Sequence, residues 1–579
     1  MRFVAALFLA WPVWAQLPAQ DARNTDLPGT NTHFRMPVYR TLAEWEARKQ
    51  FLRKQILSAA GLLPMPEKTP LHPQVFGRIE NQDYTIEKVL LETMPGYYLG
   101  GNLYRPLGKQ GPFPGVASPH GHWTYGRLEN QELASIPGRA INLARQGFVV
   151  LTYDMVGYTD TIQTPHAFGG PREQLWAFGP LGLQLWNSMR VVDFLQSLPD
   201  VDPQRIAATG ASGGGTQTFL LGAADERVKF AAPVNMLSAI MQGGSPCENA
   251  PNLRVGAFNL EFGAMMAPRS LLMVAATGDW TRNTPKEEFP AIQGIYQLYG
   301  KPEAVETVQF DAPHNYNQAS REAVYRFFNK VILDNPRAAE IRERSFKVEQ
   351  LQNMLALHNR QLPDNAINYQ QIFEQWIRMA QQQSAAARDK VEVRERLAYA
   401  LMAEWPAKVV SEEHGERIVL GRAGAGDRVP GIWIRGKGTP ALVVHPGGAE
   451  AARGTAQARA LIAEGRPVLL IDAFQTGSAV APRDETASHF LTFNKTKDAN
   501  RVQDILTALA FLNQPGVKLV GVDKAAVWCL FAAAVAKTPV SLEADPEKFQ
   551  GRDQDFIDDF FVPGIQRAGG LEAARLALR

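Results

Sequence analysis

The sequence predicts an α/β chain, in which a mostly parallel sheet covered by helices on both faces is followed by a second, incomplete sheet of the same kind. Three observations carry this. Apolar strand-like runs alternate with helical ones between residues 113 and 335, a pattern that buries a parallel sheet on both sides. A glycine-rich turn at residues 210–215 joins one of those strands to a helix. The same order of segments then returns after residue 410.

The turn reads Thr209-Gly-Ala-Ser212-Gly-Gly-Gly215 after the apolar run Ile206-Ala-Ala, and Phe219-Leu-Leu follows it. A G-x-S-x-G motif between a strand and a helix is the context of a nucleophile elbow, where a sharp turn lifts a serine hydroxyl clear of the sheet. Small neighbours are needed there because a Cβ clashes at such backbone angles.

Composition limits the alternatives. The chain has 579 residues, 45% hydrophobic and 20% charged, with a formal net charge of +2. That is a globular composition, with too little net charge to attract nucleic acid or an anionic membrane. Residues 1–15 carry one positive charge, a short apolar core and Ala15 before Gln16. They read as a secretory signal cleaved near Ala15, which places the protein in the periplasm or outside the cell. The two cysteines, Cys247 and Cys529, are expected as free buried thiols rather than a disulfide framework.

Residues 16–70 form an arm and one helix, at 41–60, with Leu42, Trp45, Phe51, Leu52 and Ile56 on one face. The first α/β unit is expected over 71–335. Strands are read at 74–79, at 84–104 with a break near Pro95-Gly96, and at 113–119, 148–154, 228–234, 270–276 and 305–310. Helices are read at 136–146 and 181–198. In such sheets reactive groups gather beyond the carboxyl ends of the strands.

Serine needs a base within reach and a third group to orient that base. The chain order on this architecture is Ser, acid, His. Between Ser212 and residue 335 the one histidine is His314, in a loop directly after an apolar strand. Asp279 follows the strand at 270–276, whereas Asp225, Glu226, Glu287 and Glu288 sit in solvated contexts. The catalytic residues are therefore read as Ser212, Asp279 and His314. The oxyanion needs two backbone N–H donors, expected from Gly213 and from His122 or Gly121. His120 and His122 could instead form a metal pair, but no Asp, Glu or Cys joins them at a ligand-like spacing. Neither metal nor cofactor is expected.

The segments His120-Gly-His-Trp, Gly210-Ala-Ser-Gly-Gly-Gly, Cys247-Glu-Asn-Ala-Pro, Ala267-Pro-Arg-Ser-Leu-Leu, Gly278-Asp-Trp and His314-Asn-Tyr-Asn resemble bacterial acetyl xylan esterase-like and dienelactone hydrolase-like α/β-hydrolases. The resemblance covers residues 70–335. It implies a serine carboxylic-ester hydrolase whose partner is an ester substrate, typically an acyl group on plant polysaccharide. A serine peptidase of the prolyl oligopeptidase type is a rival, but the short segment before the sheet cannot supply that family's β-propeller. A non-catalytic carbohydrate-binding or scaffold protein is the other. The long connection 235–254 is expected over the pocket. Trp123, Tyr125, Glu248 and Trp280 are candidate substrate-binding residues.

Residues 336–410 read as a helical connector, with helices expected at 338–357, 369–383 and 391–403. Residues 411–579 then repeat the first unit. Val429-Pro-Gly-Ile-Trp matches Gly100-Gly-Asn-Leu-Tyr, 440–448 matches 114–121, 466–472 matches 147–154, and 502–512 matches the end of the 181–198 helix. Asp523 then stands where the nucleophile should be and Ala525 replaces a glycine. The last histidine is His489, so this copy lacks a base after its elbow and is expected to be structural.

Overall fold

The computed structural model describes residues 17–546 and 548–579; the expected signal segment lies outside them. No helix of the described residues is long and apolar enough to cross a membrane.

The helix α1 (Leu42–Ala59) begins on a capping box between Thr41 and Glu44, and buries Trp45, Leu52 and Ile56. Leu42 and Phe51, expected on the same face, are partly exposed. A nine-stranded sheet follows. Its strands are β1 (Gln74–Glu80), β2 (Tyr84–Met94), β3 (Tyr97–Pro106), β4 (Phe113–Pro119), β5 (Val149–Tyr153), β6 (Val201–Ala211), β7 (Val228–Val234), β8 (Ser270–Gly278) and β9 (Val305–Pro313). The spatial order is β1-β2-β3-β5-β4-β6-β7-β8-β9. The pairings up to β3–β5 are antiparallel, and the five beyond are parallel. The central strands β4, β5 and β6 are buried over nearly all of their apolar stretches, as helices on both faces require.

A seven-stranded sheet forms the second layer system. It contains β10 (Val409–His414), β11 (Arg417–Arg422), β12 (Val429–Ile434), β13 (Ala441–Val444), β14 (Val468–Ile471), β15 (Val517–Gly521) and β16 (Val540–Ala544). Their order is β10-β11-β12-β14-β13-β15-β16, which is the order of β1 to β7 strand for strand. The pairing directions repeat as well. Counterparts of β8 and β9 are absent among the described residues.

The connector departs from expectation at its start. The helices Tyr369–Ala386 and Lys390–Leu401 form, but the helix expected at 338–357 does not. Only Ala338–Glu340 and Leu351–Met354 are helical turns. The first sheet's side chains take the backbone groups that a helix would have used. Asp160 accepts from the N–H groups of Ala356 and Leu357 at 2.8 and 2.9 Å, and Asn102 donates to the Met354 carbonyl at 2.8 Å. Such competition favours an irregular strap.

The two sheets share one apolar core. A single contiguous cluster runs from Trp45, Trp186 and Phe262 of the first unit through Trp376 and Leu397 of the connector to Leu469, Phe531 and Phe556 of the second. Arg567 is buried within it, donating to the carbonyls of Gly61 and Pro64.

Candidate active site

Ser212 sits between β6 and the helix α2 (Gly213–Ala224) with φ 58° and ψ −128°. This strained conformation is rare for a residue with a side chain, and the surroundings enforce it. A Cβ on Gly210 would lie 2.6 Å from the carbonyl oxygens of both Gly214 and Pro119. The Ser212 N–H donates to the Val234 carbonyl at 3.2 Å, and its own carbonyl accepts from Thr216 at 3.0 Å. The serine is thereby fixed at the carboxyl end of the sheet.

Asp279 and His314 follow β8 and β9, the next strands but one and but two along the sheet. His314 Nδ1 lies 2.8 Å from Asp279 Oδ2. The other oxygen of Asp279 accepts from the N–H and hydroxyl of Thr281 at 2.7 and 2.6 Å. An ionised carboxylate held in this way orients the imidazole with its Nδ1–H toward the acid. The His314 loop is itself pinned. Asn235 donates to the Asn315 carbonyl at 3.1 Å, and the Tyr316 hydroxyl meets Thr209 at 2.6 Å. His314 Nε2, the nitrogen that would face a serine hydroxyl, is buried and makes no hydrogen bond among the described residues. No hydrogen bond joins it to Ser212, and such contacts are often loose without substrate.

The loop after β4 closes the other side of the elbow. A Cβ on Gly121 would lie 3.0 Å from Ser212 Cβ, and one on Gly213 would lie 2.6 Å from His122 Cε1. Gly121 thus lies against Ser212, and the His122 ring lies against Gly213. The two histidines of this loop, His120 and His122, part ways. His120 is buried with both ring nitrogens engaged, by the Gly121 carbonyl at 2.7 Å and the Met155 N–H at 2.9 Å. Burial pushes its pKa down to about 3, so the ring is a neutral structural element. His122 turns instead toward His166 and Cys247, at 3.2 and 3.1 Å. Spacing gave no sign of this, because the partners lie 44 and 125 residues away.

Of the proposed substrate contacts, Trp123 is half-buried beside Gly121. Trp280 packs on the His314 ring with centroids 4.4 Å apart. Tyr125 is 54% exposed. Glu248 is differently placed: its buried carboxylate accepts from the N–H groups of Gly244 and Ser245 at 2.9 and 3.0 Å. It caps the 235–254 loop rather than facing outward. That loop rests on the second unit, with Asn252 and Arg254 donating to the carbonyls of Leu491 and Thr492, both at 2.8 Å.

No family model matches the chain. Among solved structures, methylesterase BT1017 is 32% identical, covering 58% of this chain and 75% of its own, with a TM-score of 0.51. The chain is an esterase of the α/β-hydrolase family. This esterase is also 24% identical over 305 residues to YtaP of Bacillus subtilis (strain 168), a protein named as a hydrolase, covering 48% of this chain and 98% of YtaP. A glucuronoyl esterase from Solibacter usitatus is similar over 54% of the chain and 98% of its own, at 17% identity and a TM-score of 0.38.

Proposed function

We propose that the esterase is a serine hydrolase that cleaves ester groups carried on carbohydrate and works outside the cytoplasm. The observation that carries the mechanism is the 2.8 Å Asp279–His314 pair on the sheet whose central elbow holds Ser212 at φ 58°. In this reading His314 Nε2 removes the Ser212 hydroxyl proton as Oγ attacks the ester carbonyl. The oxyanion is stabilised by the Gly213 N–H and by the His122 or Gly121 N–H. Collapse of the tetrahedral intermediate breaks the bond to the alkoxy oxygen, which takes the proton from His314. Water, deprotonated by the same ring, then attacks the acyl-enzyme and restores Ser212.

The carbohydrate assignment rests on Trp123 beside Gly121, on Trp280 against the His314 ring, and on the resemblance to acetyl xylan esterases. An indole face suits a sugar because its flat apolar surface packs against the C–H groups exposed on one face of a pyranose chair. The named activity of the 32% identical relative favours a second reading, a methyl ester of a sugar acid. The two differ in which side of the ester the sugar occupies. Purified protein is assayed on p-nitrophenyl acetate, acetylated xylan and methyl-esterified pectin, with acetate or methanol quantified. Acetate release assigns the first reading and methanol release the second. No turnover of any of the three defeats both. Export is tested by fractionating cells and sequencing the mature N-terminus, expected at Gln16.

A further inference from the structure

Three ligand-bearing side chains outside the proposed triad converge on one point. His122 Nε2, His166 Nε2 and Cys247 Sγ all lie within 4.8 Å of one another. We propose that they form a three-ligand site for a thiophilic divalent cation, Zn²⁺, one imidazole away from the Ser212 turn.

The geometry fits. Around a tetrahedral zinc, Zn–N bonds of about 2.0–2.1 Å and a Zn–S bond of about 2.3 Å set N···N near 3.3 Å and N···S near 3.5 Å. The His122–His166 edge is 3.2 Å and the His122–Cys247 edge is 3.1 Å, and the third edge lies within 4.8 Å, so small side-chain adjustments bring all three atoms within bonding distance of one cation. The ligands are also oriented from behind. His166 Nδ1 donates to the Val156 carbonyl at 2.7 Å, which leaves the Nε2 lone pair aimed at the cluster, the arrangement that fixes a metal-binding imidazole. Tyr158 holds that ring edge-on at 5.0 Å.

The three atoms crowd one another. With the His166 proton on Nδ1, one N–H from His122 can serve only one of its two neighbours. A zinc ion displaces the thiol proton to solvent and binds the thiolate with two neutral imidazoles. The half-buried faces of His122 and His166 give it an entry path, and three protein ligands leave a fourth position for water. The carboxylate of Glu248, next in sequence to Cys247, adds negative charge nearby and acts electrostatically on His122.

The test uses the full-length protein after dialysis against a chelator. Zn²⁺ is expected to bind at one equivalent per chain and to raise the melting temperature. Co²⁺ in its place is expected to give a thiolate-to-cobalt charge-transfer band, which requires a sulfur ligand. Cys247→Ala and His166→Gln should each abolish the melting shift and weaken binding by more than about 100-fold, beyond the loss typical of an outer-shell change. A cobalt spectrum without the sulfur band overturns the proposal even if the variants fold poorly. So does zinc affinity unchanged in both variants.

Discussion

The two elbows of this chain share a left-handed turn at the same place in the sheet, and only the first is followed by a histidine among the described residues. Ser212 has φ 58° and Asp523 has φ 53°. Each follows a parallel strand flanked by the same neighbours, β4 and β7 around β6, β13 and β16 around β15, and each leads into a helix, Gly213–Ala224 in one case and Ala525–Val535 in the other. Even the loop-holding aspartates correspond. Asp154 after β5 accepts from the Asp160 N–H at 2.9 Å, and Asp472 after β14 accepts from the Ala449 N–H at 2.7 Å. The difference lies further along the sheet. After β7 the first unit adds two strands that deliver Asp279 and His314, while the second sheet stops at β16. A sharp turn is thus a product of topology, whereas reactivity is conferred by what the later strands place beside it.

The largest effect that would break this comparison is expected at Ser212. Ser212→Ala should lower kcat on p-nitrophenyl acetate by about 10⁶, since members of such a triad act as a unit. Its melting temperature should stay near that of the unmodified protein. Turnover within tenfold of the original would return the first elbow to the status of the second. Asp279→Asn is expected to cost about 10⁴ in kcat with KM little changed, because the His314 tautomer is no longer fixed. A change confined to KM would argue against that role.

Stability sharpens the comparison differently. Arg567 joins the second unit to the first through two carbonyls, 506 positions along the chain from Gly61. Arg567→Ala should destabilise the protein by about 2–3 kcal/mol, the scale of hydrogen bonds to a charged group. Calorimetry should show one lowered transition for the whole chain. Two separate transitions would mean that the units are independent. His120 predicts a pH effect. Its folded-state pKa of about 3 lies below the unfolded value of ~6.5, so acidification protonates the unfolded chain first. Stability present above pH ~6.5 is lost as the pH falls toward about 3, at about 1.4 kcal/mol per unit. Urea titrations at several pH values should show this slope reduced in His120→Gln. The smallest effect is expected at the second elbow. Asp523→Asn should change ester turnover less than about twofold, and adding Asp523→Ser to Ser212→Ala should restore none, because no base follows that turn.

Much of the first sheet was legible because its strands are short apolar runs whose period and punctuation are local properties. The elbow was legible for the same reason. The Asp279–His314 contact followed from chain order on a parallel sheet, which converts sequence position into a place at the sheet's edge. What escaped were features decided by distant side chains. The strap at 338–357 has helical composition, but Asp160 and Asn102 of the first unit take its backbone groups. Glu248 is the exception, since its role is local: Ser245-Pro-Cys-Glu248 is a capping box in which one carboxylate oxygen accepts from the Gly244 and Ser245 N–H groups. The meeting of His166 and Cys247 with His122 had no local signal, because residues 44 and 125 positions apart are joined only once three loops have folded over one another.

The bond between Arg567 and Gly61 also says something about timing. The face of the first unit around α1 and Trp376 is sealed by residues made at the far end of the chain. A ribosome that has completed β9 has therefore released every proposed catalytic group without the surface that covers their scaffold. Contacts of such long sequence separation form slowly, and half-covered apolar faces attract one another in the meantime. The folding of the first unit is expected to be post-translational in its last step, gated by arrival of the segment that carries Arg567.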